Sequence, residues 1–150
     1  AYQAHRASNR LTSIVPRNGL RHAMHGHRFS MRPGIFPTNL VLTGSDTVPL
    51  AELLASMTTG IYVDNLWSIT TPHGLAAGTF TSSVIGASFR IEQGALAHPI
   101  KPGVLHLQDN FVELWQRCTG VSTARQVVVM PTWQSVVVSP ELQCSMAHFV

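Results

Sequence analysis

The stretch 37–99 constrains this chain most, because within it one helical period gives way to a long run of alternating, β-prone residues cut by glycines at defined places. Gly44-Ser45-Asp46-Thr47 offers polar groups able to cap a helix. Pro49 then sits at a first-turn position, and Leu50, Leu53, Leu54 and Met57 follow at helical spacing. Gly60 supplies a stop. Residues 61–67 read as extended from their β-branched and aromatic content. A longer strand is expected over 79–92, with Ile85, Ala87, Phe89 and Ile91 on one face and Arg90 and Glu92 on the other. Gln93-Gly94 is a turn into 95–100, so these segments form a hairpin.

Beyond residue 100, Asp109 is the expected N-cap of a second helix running through Arg117, with Phe111, Val112, Leu114 and Trp115 available for its buried face. Two Val-rich strands, 126–130 and 132–139, break at Pro131, and Pro140 closes the series. Strands, helix, strands, helix, strands is the order of an α+β domain with a largely antiparallel, or barrel-like, sheet and two helices. A length of 150 residues suits one domain, with 1–36 as a basic strand and loop arm and 37–150 as the core.

Only 11% of the residues are charged, against roughly 25% in an average soluble domain. Surface area buried against a partner, or against further polypeptide, is therefore expected. The formal charge of +3 is an N-terminal property: Arg6, Arg10, Arg17, Arg21, Arg28 and Arg32 precede Asp46, the first acidic residue. Such an arm has the charge to follow phosphates, but it lacks Lys and, beyond Tyr2 and Phe29, interleaved aromatic residues. A solvated or partner-facing strand pair is the better reading, and nucleic-acid binding ranks last. No apolar run approaches the roughly 20 residues that span a bilayer, and residues 1–10 have no apolar signal core. A cytoplasmic protein with no membrane partner is expected, with Cys118 and Cys144 as reduced thiols rather than a disulfide.

His22, His25 and His27 cluster, but in an extended chain His25 and His27 point to opposite faces, and no acidic residue lies near them. Neither an HExxH helix, nor G-x-S-x-G, nor a glycine-rich phosphate loop occurs. The seven carboxylates are not paired closely in sequence, so no catalytic residue is assigned. Cys118, after the second helix and before Thr119-Gly120, is a thiol near a loop; Cys144 is expected to pack.

Pro37-Thr38-Asn39-Leu40, Gly60-Ile61-Tyr62-Val63, Gly78-Thr79-Phe80 and Ile91-Glu92-Gln93-Gly94 followed by Pro99 occur in an order and spacing that resemble the C-terminal region of the TldD/PmbA (TldE) metallopeptidases. Leu66-Trp67 and Met130-Pro131-Thr132 extend the similarity, which covers roughly 26–138. The resemblance implies cytoplasmic proteolysis of peptides by a dimer in which one subunit holds zinc. In that subunit an HExxxH helix supplies two histidines and the general base, and a C-terminal cysteine is the third ligand. This sequence has no HExxxH. It is expected to be either a C-terminal piece whose other half carries the motif, or the metal-free partner type. Cys118 falls at about the place of the zinc cysteine, which makes it the candidate third ligand, although Thr119 replaces the glycine that follows in the family. Ala87 stands where the catalytic type tends to have an acidic residue. The expectation is therefore zinc in an assembled complex and none in the isolated chain, a TldD-like partner or N-terminal half bearing HExxxH, and an extended peptide substrate. A non-catalytic scaffold subunit completing a heterodimer is the alternative.

Overall fold

In the computed structural model of the chain, the described residues are 19–20, 22–23, 26–27, 34–35, 39–130 and 135–150. The chain divides into two compact units, Ala1–Val41 with Val127–Val138, and Leu42–Gln126 with Ser139–Val150.

Within the first unit, β1 (Gly19–Leu20) pairs antiparallel with β4 (Gly34–Ile35), and β2 (His22–Ala23) with β3 (Gly26–His27). β5 (Asn39–Val41) runs parallel to the segment 136–138 of the long strand β14 (Ser135–Cys144). The expected extended piece at 11–15, the basic arm's arginines, His25 and the break at Pro131 lie outside the described residues.

Among the described residues, the second unit holds two α-helices and two three-stranded sheets. β6 (Thr47–Val48) enters it, followed by α1 (Leu50–Ala55), β7 (Thr59–Tyr62), β8 (Asn65–Thr70), β9 (Thr79–Ile85), β10 (Phe89–Glu92), β11 (Ala95–Pro99), β12 (His106–Asn110) and α2 (Phe111–Gln116). The long strand β13 (Cys118–Met130) leaves α2 directly. Two antiparallel sheets, ordered β11-β10-β7 and β12-β9-β8, confirm the expected α+β class with a largely antiparallel sheet. Parallel pairing is confined to short contacts such as Val121 with Thr47 and Ser122 with Val48.

The helix at Leu50 forms where its leucines predict, with Leu53 buried, but its start differs from expectation. Pro49 is the N-cap and no side chain caps the helix. Thr47–Val48 is extended by its pairing with β13, so the polar cluster is held away from the first turn, and Ser45 Oγ bonds Asp46 instead. Gly60 is not the stop: the helix ends earlier, at Ser56, whose Oγ donates to Leu53 O at 2.7 Å, and Gly60 lies inside β7. The expected strand 61–67 is likewise two strands, β7 and β8.

The single strand expected over 79–92 is broken. Gly86 adopts φ +74°, in the left-handed region, and the chain bends there between β9 and β10. Asp64 fills the bend: its Oδ2 accepts from Ala87 N at 3.0 Å, and its own N–H donates to Ser88 Oγ at 3.1 Å. The bend also resets the alternation, so that Phe80, Ser82 and Val84, not Ile85 and Ala87, face inward, while Ile91 is buried as expected. Leu107 and Asp109 lie opposite Ser82 and Phe80 in register and share that buried face. Burial of each large aliphatic side chain such as Val84 or Ile91 contributes about 1.5–3 kcal/mol. The predicted hairpin is present, with Gln93 and Gly94 both at positive φ as a two-residue turn requires, and Arg90 pairs with Glu92 on its exposed side.

The second helix departs most. Asn110, not Asp109, is its N-cap, with Oδ1 accepting from Val112 N at 3.0 Å. Phe111, Val112 and Trp115 are exposed rather than buried, and the Phe111 and Trp115 rings stack on each other at 6.0 Å. Pro140 does not close the series, because β14 continues through it to Cys144.

Candidate functional site

Cys118 opens β13 immediately after Arg117, the C-cap of α2, so its position is set by a helix end on one side and a strand on the other. Its thiol is half-buried, and Sγ donates weakly to Gly120 O at 3.6 Å. The residue lines an open cavity of about 240 Å³, bounded by Gly44, Ser45 and Asp46 on one wall and the start of β13 on the other. The parallel pairing of β6 with β13 brings these walls together, and Asp46 is the one carboxylate on them.

A charge cluster around Arg117, the residue before Cys118, holds Met146 and His148 near the end of the chain. Asp109 Oδ1 accepts from Arg117 Nη2 at 2.5 Å and from Asn110 N at 2.7 Å, while Oδ2 accepts from His148 N at 3.1 Å. Arg117 spends its other donors on Glu113 O and Met146 O. Burial pushes the Asp109 carboxyl up, but the hydrogen bonds from Asn110, His148 and Arg117 outweigh it and hold the group below the usual carboxylate range. Glu141 behaves alike: burial opposes the charge, and bonds from Ser122 and Gln126 hold its carboxyl low. Sequence reading assigned Asp109 to a helix cap and missed this pair. The eight-residue separation across α2 is the only signal for it.

Cys144 faces the same region. Burial, then the neighbouring Cys118, push its thiol up to about 11. Both cysteines are free. Of the histidines, His22 stands opposite His27 in the β2–β3 register, His106 Nδ1 lies 3.1 Å from Ser83 Oγ, and His148 Nδ1 lies 3.4 Å from Asp109. Among the described residues no three His, Cys, Asp or Glu side chains come together to hold an ion. Cys118 is thus one thiol on a cavity wall with no ligand set around it, and the described residues do not fit a complete zinc site.

A family model described as the PmbA/TldA metallopeptidase C-terminal domain matches residues 12–149. The chain belongs to this family. Two solved structures share the PmbA/TldA C-terminal fold with it. TldE from Thermococcus kodakarensis matches with TM-score 0.62 and 22% identity over 83% of this chain and 25% of that one. A candidate modulator of a DNA gyrase from Thermotoga maritima matches with TM-score 0.58 and 19% identity over 84% of this chain and 26% of that one. The chain therefore spans about a quarter of the length of these relatives. No curated protein matches it. Among the described residues no helix is long and apolar enough to cross a membrane.

Proposed function

We propose that this PmbA/TldA C-terminal domain is one part of a cytoplasmic peptidase assembly, whose HExxxH helix comes from a partner chain or from a preceding half. Its own contribution is a cavity wall, one sulfur ligand from Cys118, and a strand edge for an extended peptide. The observation that carries this reading is Cys118 on an open cavity wall with no companion ligands among the described residues.

Other features support it. β8 is an outer strand of its sheet, with Trp67 and Ile69 exposed, which suits addition of a peptide strand by backbone hydrogen bonds with apolar side-chain contacts. The exposed Phe111, Val112 and Trp115 suit burial against further polypeptide, and they equally favour the scaffold reading, in which the domain completes a dimer without touching the ion.

Substituting Cys118→Ser in the assembled complex separates the two. The ligand role predicts that peptidase activity falls at least about 100-fold, as loss of metal-site groups typically costs, while the complex still elutes intact from size exclusion. Unchanged turnover by an intact complex assigns the domain to scaffolding.

A further inference from the structure

The two cysteines stand 26 positions apart in sequence, yet β13 and β14 are neighbouring strands of one sheet and bring them together. Ser145 N donates to Arg117 O at 2.9 Å, and Thr119 Oγ1 donates to Gln143 O at 3.4 Å. These contacts flank one intervening residue on each strand, Cys118 on β13 and Cys144 on β14. The bond from Ser145 to Arg117 joins the residue after one cysteine to the residue before the other. The backbone bond is the kind that flanks a non-hydrogen-bonded antiparallel pair, in which Cα atoms lie roughly 4.5 Å apart, and the two thiols are close enough for Cys118 to hydrogen-bond Cys144. A disulfide needs a Cα separation of about 4.4–6.8 Å. The spacing typical of such a pair falls within that range, and Cys118 lines an open cavity.

We propose that Cys118 and Cys144 are a reversible redox pair that closes to an intramolecular cross-strand disulfide when a low-molecular-weight disulfide such as oxidised glutathione is present. Cys118, on the cavity wall, attacks one glutathione sulfur; the glutathione S–S bond breaks, and the first reduced glutathione leaves with the electron pair and a proton. Cys144 then gives up its proton to solvent and, as the thiolate, attacks the Cys118 sulfur of the mixed disulfide, forming the Cys118–Cys144 bond and releasing the second reduced glutathione, a step that quickens as pH rises. The protein loses two electrons and two protons, and the oxidant gains both. On the reading that Cys118 serves an assembled peptidase, oxidation withdraws its thiol; that consequence rests on the proposed function, whereas the cross-link does not.

The test uses the full chain, incubated with oxidised glutathione, alkylated, and weighed intact. The expected result is loss of both alkylatable thiols, no retained glutathione, a mass lower by two hydrogens, and a peptide map joining Cys118 to Cys144 within one chain. In C144S, one glutathione stays on Cys118, because no thiol resolves it. Wild-type chain that keeps both thiols, retains glutathione, or cross-links only between molecules overturns the proposal. None of these readouts involves zinc or peptide cleavage, so failure here is distinguishable from failure of the peptidase reading.

Discussion

Asp109→Ala lowers the stability of the chain by about 3–5 kcal/mol, the cost of breaking a buried ion pair and leaving its partner without compensation. The Asp109 side chain is 2% exposed and Arg117 is 19% exposed, so solvent replaces little of what is lost. The substitution also strands the N–H groups of Asn110 and His148 that the carboxylate accepts from. Urea unfolding at neutral pH checks the magnitude; a loss under about 1 kcal/mol means that the cluster is peripheral. The sign of the pH dependence follows from the same residue. The folded-state carboxyl of Asp109 lies below its ordinary range, so its contribution is present above the unfolded pKa of about 3.9 and is lost as pH falls through the folded value. Wild-type stability therefore declines as pH drops below about 5. The alanine variant loses less over that window, retaining only the acid sensitivity of groups such as Glu141.

Gly86→Val is expected to cost about 2–4 kcal/mol, because two penalties coincide at one position. The backbone holds φ +74°, which a β-branched residue resists, and a Cβ there runs into the Asp64 carboxylate. Removing the carboxylate separates them: in the Asp64→Ala background Gly86→Val keeps the backbone penalty of about 1–2 kcal/mol and sheds the clash. Thermal unfolding of the four proteins of this cycle measures the coupling. Additive losses with no coupling show that the Asp64 side chain moves aside freely.

Local signals proved readable where the residue pattern itself enforces the structure. The leucines from Leu50 to Leu54 give a helix because their spacing puts Leu53 inward, and Gln93-Gly94 gives a hairpin because both residues accept positive φ. Signals failed where a distant partner decides the outcome. One glycine in a β-prone run looks tolerable as strand, and only Asp64, 22 positions earlier, makes Gly86 a corner. Asp109 resembles a cap because its place on the buried face depends on the pairing of β12 with β9. The apolar residues of α2 suggest a buried face, yet Phe111, Val112 and Trp115 are exposed, because no described element packs over them. For the site, Cys118 stood out through the family resemblance alone, while its cavity neighbour Asp46 is delivered by a parallel contact between β6 and β13 that no local pattern announces. The facing of Cys118 and Cys144 is of the same long-range kind.

The central claim is that this PmbA/TldA domain does not hold a catalytic ion unaided. Metal analysis of the purified chain, alone and after mixing with an HExxxH-bearing TldD-type chain, tests it most directly. The account predicts no stoichiometric zinc and no peptide cleavage by the chain alone, and both zinc and cleavage in the mixture. One zinc per chain retained through dialysis against a weak chelator, without the partner, contradicts it.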